Sequence, residues 1–277
     1  MTRRRTGRLL AYVLLVAIAV IGLAPFVMIV IYSTKSRIEI LQAPPTLDFD
    51  LDQIVANYRD VLVTRGFIGF IENSVIVTAA TVAISLVIAV PAAYAFSRLR
   101  FRARDGWAST ILSFRFMPPV AVAIPILLMM RFVDFENTFQ GLIIPYVAFS
   151  LPLTVWILIG FIDEIPRELD DAAMADGCTR LGVLWRVMLP LMRPGLIVAG
   201  IFAAIFIWNE LLVGSYLIQS QGLKTIPLAA GGLISAQRPI DWNVAATVGV
   251  VTIIPIFIFS LFTQRYIARG ITAGAVK

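Results

Sequence analysis

Six stretches of this chain are long and apolar enough to cross a lipid bilayer, and that fixes the solvent in which most of it folds. A spanning helix needs roughly 20 mostly apolar residues. Such stretches run from Leu9 to Tyr32, Ile71 to Phe96, Trp107 to Met130, Leu142 to Ile162, Gly195 to Ile218 and Val244 to Thr263. In lipid each backbone polar group must be satisfied within the segment, so helices are expected. The third stretch is interrupted by Arg115 and the Pro118-Pro119 pair, and the fifth contains Glu210. The composition agrees: 59% of the residues are hydrophobic and 14% charged, against roughly 45–50% and about 25% in a soluble domain. The expected fold is an all-α membrane protein with six transmembrane helices and a helix-turn-helix loop on the cytoplasmic side. Its segments are an N-terminal part with the first helix and an outer loop (1–70), a transmembrane core (71–263) and a cytoplasmic tail (264–277).

The basic residues set the orientation. Lys and Arg concentrate in the short cytoplasmic loops of membrane proteins. With six spans the termini share one side. That side carries Arg3, Arg4, Arg5 and Arg8, then Arg98, Arg100, Arg102 and Arg104, then Arg167, Arg180, Arg186 and Arg193, and finally Arg265, Arg269 and Lys277. The other side carries only Lys35, Arg37, Arg59, Arg65, Lys224 and Arg238. Both termini are therefore expected in the cytoplasm, in a multi-pass membrane protein. The net charge of +6 is read as topology charge rather than as a nucleic-acid surface. The arginines from Arg98 to Arg104 are placed at docking and topology positions near anionic headgroups, where each charge contributes about 1 kcal/mol. The apolar run from Leu9 exceeds the roughly 7–15 residues of a signal-peptide core, so it is expected as a retained helix.

Several chemistries are excluded. The chain has no histidine, which removes the usual general base and the Ser-His-Asp arrangement. Its single cysteine, Cys178, cannot form an intrachain disulfide. No metal site or cofactor is expected; the DxDxD run at Asp48, Asp50 and Asp52 lacks the Gly and distal Glu of a calcium loop. The lysines are Lys35, Lys224 and Lys277, and none stands in a GK[ST] loop, so the chain is not expected to bind and cleave ATP itself.

Two loops are long. The outer one contains Ile54, Tyr58, Val61 and Leu62 at helical spacing, which predicts a short amphipathic helix within Asp48–Leu62. The inner loop from Asp163 to Pro194 reads DEIPRELDDAAMADGCTRLGVLWRVMLPLMRP. Pro166 suits a first helical turn, and Gly177 suits the end of that helix. Thr179 suits the N-cap of a second helix carrying Leu181, Leu184, Trp185 and Met188. The small Ala172-Ala173 pair and the acidic residues Glu168, Asp170, Asp171 and Asp176 make this loop a docking surface.

The same loop resembles the EAA loop of type I ABC importer permeases. Asp171 stands in the Glu position, and Ala172, Ala173, Gly177, Leu189 and Pro190 match, with Asp176 beside the glycine and Val187 in the Ile position. Two further segments resemble the carbohydrate-uptake branch of that family: Trp208-Asn209-Glu210 in the fifth stretch, and the tail QRYIARGITAGAVK from Gln264 to Lys277. The likeness covers nearly the whole chain. It implies a second permease subunit forming a heterodimer, two cytoplasmic ATPase subunits and an extracytoplasmic solute-binding protein. It also implies that Asp171 to Gly177 dock on an ATPase, and that Gly270, Thr272 and Lys277 in the tail reach towards the ATPases. Asp for Glu keeps the charge but shortens the reach. The function implied is a permease that couples ATPase closure to alternating access for a sugar or polyol. The alternatives are an importer for a glycerol-phosphate-like or other small polar solute, and an ion-coupled secondary transporter.

Ionisable residues inside a span are costly and mark functional sites by default. Arg115 and Glu210 are the two clearest, as pathway residues, as partners of a second subunit or as helix caps. Trp208 offers an apolar face and Asn209 a hydrogen-bonding edge to a sugar.

Overall fold

In the computed structural model, residues 2–41, 49–102, 104–233 and 240–274 are described, with the backbone alone along 2–10, at 105 and along 263–274. The helices follow in order as α1 (Thr2–Ser33), α2 (Arg37–Leu41), α3 (Leu51–Arg59), α4 (Phe67–Arg98), α5 (Arg104–Ser113), α6 (Pro119–Phe132) and α7 (Phe139–Asp163). There follow α8 (Glu168–Ala175), α9 (Arg180–Val183), α10 (Leu189–Leu191), α11 (Arg193–Trp208), α12 (Leu212–Leu217), α13 (Ile226–Gly231) and α14 (Trp242–Gly274). No strand occurs among the described residues. Among the described residues, four segments are helices long and apolar enough to cross a membrane: Ala11–Ser33, Phe67–Arg98, Phe139–Asp163 and Trp242–Phe262. Two bent pairs raise this to six if each is one span: Gly106–Phe116 with Pro119–Phe132 at 95°, and Arg180–Leu191 with Arg193–Trp208 at 77°.

The expected first, second, fourth and sixth stretches are continuous helices. The third is folded sharply. Pro118 is extended and Pro119 opens α6, where its missing N–H costs no helical bond and its fixed φ suits the first turn. The fifth differs from the expected single helix over Gly195–Ile218. α11 ends at Trp208, and a separate short helix, α12, begins at Leu212. The physical cause is Glu210, whose carboxylate oxygens accept from the backbone N–H groups of Val213 (2.8 Å) and Gly214 (3.1 Å). A side chain bonding back to its own backbone competes with the regular helical ladder. α14 carries the helical backbone through to Gly274, into the segment read as the tail.

The chain divides into two units. The first comprises Met1–Ile68 and Gly232–Ile254. Here the amphipathic helix within Asp48–Leu62 is found as α3 plus a π turn over Asp60–Thr64, with Asp50 as its N-cap; Asp48 lies outside the described residues. Val61 is fully buried. Asn57 is buried and donates to the carbonyls of Ser33 and Lys35, both at 2.9 Å. Those carbonyls lie at and just beyond the end of α1, where carbonyls have no intrahelical donor.

The second unit comprises Gly69–Gly231 and Pro255–Lys277. Its centre is the packing of α7 on α11, with Leu158 and Ile162 fully buried. Ser85 on α4 and Ser150 on α7 share a buried hydroxyl–hydroxyl hydrogen bond of 2.6 Å. Such a pairing keeps both hydroxyls satisfied away from water. Small residues allow the close approach of α7 and α11. A Cβ on Gly195 would lie 2.6–2.9 Å from Cβ, Cγ and Cδ2 of Phe161. Gly195→Val is therefore expected to destabilise the chain by about 1–3 kcal/mol through overpacking, seen as a lowered thermal midpoint in detergent. Gly160→Val, at a glycine with nothing within 4 Å of the same position, is the matched control. Equal midpoints for the two variants would contradict the packing argument.

Candidate functional site

Two places collect the chemistry. The first is the loop between α7 and α11. α7 ends at Asp163, and α8 carries Glu168, Asp170 and Asp171 in its first turn, where negative charge complements the helix dipole. α8 is closed by a Schellman motif: Cys178 N–H donates to the Ala173 carbonyl and Gly177 N–H to the Met174 carbonyl, each at 3.0 Å. Gly177 sits at the left-handed position of that motif with φ +89°, which glycine adopts without the steric cost of a Cβ. No atom lies within 4 Å of where its Cβ would be, so backbone conformation rather than space demands glycine. Thr179 caps the next helix, its hydroxyl accepting from Gly182 N–H at 3.1 Å.

The exposed face of this loop is narrower than the sequence pattern suggests. Asp171, Ala172, Asp176 and Gly177 are exposed, whereas Ala173 is buried. Ala173 packs in one core cluster with Ala93 and Tyr94 of α4 and with Val183, Leu184 and Met188. The expected apolar stripe of the second helix is split: Leu184 and Met188 are buried, while Leu181 is 67% and Trp185 53% exposed. The π turn over Leu184–Met188 changes the helical register and separates those faces. Leu189 is half-buried and Pro190 exposed, within the bent return to α11.

Sequence reasoning missed one pair here. Arg98, at the end of α4, forms an ion pair with Asp170 of α8, with Nε 2.6 Å from Oδ2 and side chains only 6% and 9% exposed. Arg98 also donates to the Ile165 carbonyl at 2.6 Å. Burial pushes the Asp170 carboxyl above its ordinary value, with Asp171 adding to that shift and the Arg98 and Arg167 guanidiniums opposing it. Arg98 thus leaves the arginine cluster to which its neighbours Arg100 and Arg102 belong, both of them exposed. No local signal links residues 72 positions apart.

The second place is a pocket of about 500 Å³ lined by Arg115, Phe206, Asn209 and Glu210, among others. Three of the four expected pathway residues meet there. The Arg115 guanidinium carbon lies 4.0 Å from the Phe206 ring centroid, a cation–π contact that shields the charge in an apolar wall. Asn209 donates to the Ile205 carbonyl at 2.7 Å, and Glu210 caps α12 as described. Trp208 is not in the lining; it is 2% exposed, in the core. Gly270 and Thr272 fall on the helical backbone of α14, and Lys277 lies outside the described residues. Among the described residues no group of three potential metal ligands occurs.

Residues 82–273 match the family described as "binding-protein-dependent transport system inner membrane component". The sulfoquinovosyl glycerol transport system permease protein SmoH of Agrobacterium fabrum is 33% identical over 98% of this chain and 95% of its own length. The trehalose/maltose transport system permease protein MalG of Thermococcus litoralis is 29% identical over 98% of this chain and 97% of its own. The trehalose transport system permease protein SugB of Mycobacterium tuberculosis is 34% identical over 84% of each. In three dimensions the chain is similar to a subunit of a bacterial ABC transporter involved in the import of the acidic polysaccharide alginate, with a TM-score of 0.80 and 24% identity over 95% of this chain and 96% of that one.

Proposed function

The chain belongs to the family of binding-protein-dependent transport system inner membrane components, and on that premise we propose that it is one membrane subunit of an ATP-driven carbohydrate importer. In this reading a second permease subunit completes the pathway. Two ATPase subunits dock on the cytoplasmic side, where both termini lie, and a solute-binding protein delivers a sugar or polyol from the other side. The relatives SmoH, MalG and SugB all carry names of carbohydrate transport systems, which supports the carbohydrate class.

The observation that carries the coupling role is the exposed face of α8 with its glycine-closed turn. Asp171 and Ala172 stand on, and Asp176 ends, a short helix whose inner side is held in the core by Ala173. Such a helix presents a fixed acidic and small-residue face to a partner groove. Leu189 and Pro190 form the bent link through which its displacement reaches α11. Arg115, Asn209 and Glu210 line the pathway, and the α14 extension through Gly270 and Thr272 towards Lys277 reaches the ATPases. Nucleotide-driven closure of the ATPases then moves the loop, and the spans repack between inward- and outward-open arrangements.

The test is reconstitution with the partner permease, ATPases and binding protein. ATP-dependent accumulation of labelled trehalose or sulfoquinovosyl glycerol in proteoliposomes is the expected result. Uptake by this chain that follows an ion gradient and ignores ATP would overturn the reading.

A further inference from the structure

The chain itself links α8 to two spans: to α7 through residues 164–167, and to α11 through α9 and α10. It gives α8 no direct covalent link to α4, yet several polar contacts of this region run between α4 and the loop. Arg98 pairs with Asp170 (2.6 Å) and donates to the Ile165 carbonyl (2.6 Å). One residue earlier, the Ser97 carbonyl accepts from Arg167 at 3.2 Å, and the Ser97 hydroxyl donates to the Asp163 carboxylate. Beside these contacts Ala89, Val90, Ala93 and Tyr94 of α4 share a buried apolar cluster with Ala173, Leu184 and Met188.

We propose that Arg98 and Asp170 are positioning residues that lock the Arg98 end of α4 to α8, so that α4 moves with the loop as one body and carries its displacement into the membrane. This rests on the coupling role of α8 proposed above. Close-packed side chains transmit a shift rather than absorb it. A buried charge pair adds a penalty for separating the two elements, because parting them leaves each charge uncompensated in a poorly solvated place. α4 is thereby coupled to the loop without any covalent connection to it.

Two measurements on the reconstituted complex test this. In a Cys178→Ser background, spin labels at Val87→Cys on α4 and Arg186→Cys on the loop report their separation. The expected result is one distance distribution, unchanged between nucleotide-free and ATP-trapped states. A distribution that shifts between those states overturns the rigid-body inference. The second measurement uses Arg98→Met with Asp170→Leu, a pair that removes both charges while keeping apolar volume, a replacement that buried ion pairs often tolerate. The expected result is an assembled complex in which ATP hydrolysed per solute imported rises about tenfold, the size of an ordinary coupling free energy between sites. A wild-type ratio in that double variant overturns the positioning role; if it fails to assemble, the label distances in the wild-type pair decide alone. A wild-type complex without ATP-dependent uptake would instead overturn the proposed function, and so is distinguishable from either failure.

Discussion

Deleting Asp171–Gly177 is expected to abolish ATP-driven uptake while the chain remains in the membrane fraction. The deletion removes the exposed acidic face of α8 and the turn that aims it, but none of the apolar spans that hold the chain in lipid. Gly177→Pro is the sharper version. Proline fixes φ near −65°, whereas Gly177 sits at φ +89°. Proline also lacks the N–H that Gly177 donates to the Met174 carbonyl. The variant therefore cannot form the Schellman closure, and α8 must either run on or splay. Gly177→Ala separates conformation from space: no neighbour lies within 4 Å of the added Cβ, so its cost is the left-handed backbone alone, about 1–2 kcal/mol. Uptake should fall in the order alanine, then proline and the deletion, with membrane content unchanged. Normal uptake by the deletion would remove α8 from the mechanism.

The second large effect is expected at Glu210. Its carboxylate takes the N–H groups of Val213 and Gly214, and both of those residues are buried. Glu210→Ala leaves two donors without a partner, at about 1–3 kcal/mol for each buried group left unmade. The variant should show a clearly lowered thermal midpoint and a fall in uptake of an order of magnitude or more. Glu210→Gln keeps one acceptor oxygen and should lie between alanine and wild type in both readouts. Removing the carboxylate also changes the pocket it shares with Arg115 and Asn209, whose lining would then keep the cation and lose its carboxylate. An alanine variant as stable as wild type would sink the capping role. A stable glutamine variant with strongly reduced uptake would assign Glu210 a part in the pathway beyond its cap.

Much of this protein is legible along the chain because its strongest signals are local. Apolar length alone places α1, α4, α7 and α14. Pro119 at the first turn of α6, Gly177 after α8 and Thr179 before α9 act through their own backbone geometry, and the structure uses each of them at a terminus. The Glu210 break is different in kind. Helix capping is among the alternatives for that residue, but an apolar run gives no sign of which backbone N–H groups a half-buried carboxylate will choose. The same limit applies to Ala172 and Ala173. They are identical in chemistry and adjacent in sequence, yet only one faces outward, because α4 covers the other. Trp208, offered by sequence as a surface for a sugar, is covered in the same way.

Composition and apolar spacing by themselves determined that the chain folds in lipid as helices, and the absence of histidine removed the usual general base from its side chains. These conclusions need only the solvation of each segment and the residue types present. The tertiary structure decided the rest: the 95° and 77° bends, the break at Glu210, the meeting of Arg115 with Asn209, and the burial of Arg98 against Asp170. Each of these depends on which distant group occupies the space beside a side chain. That is set when the helices pack, and no run of neighbouring residues encodes it.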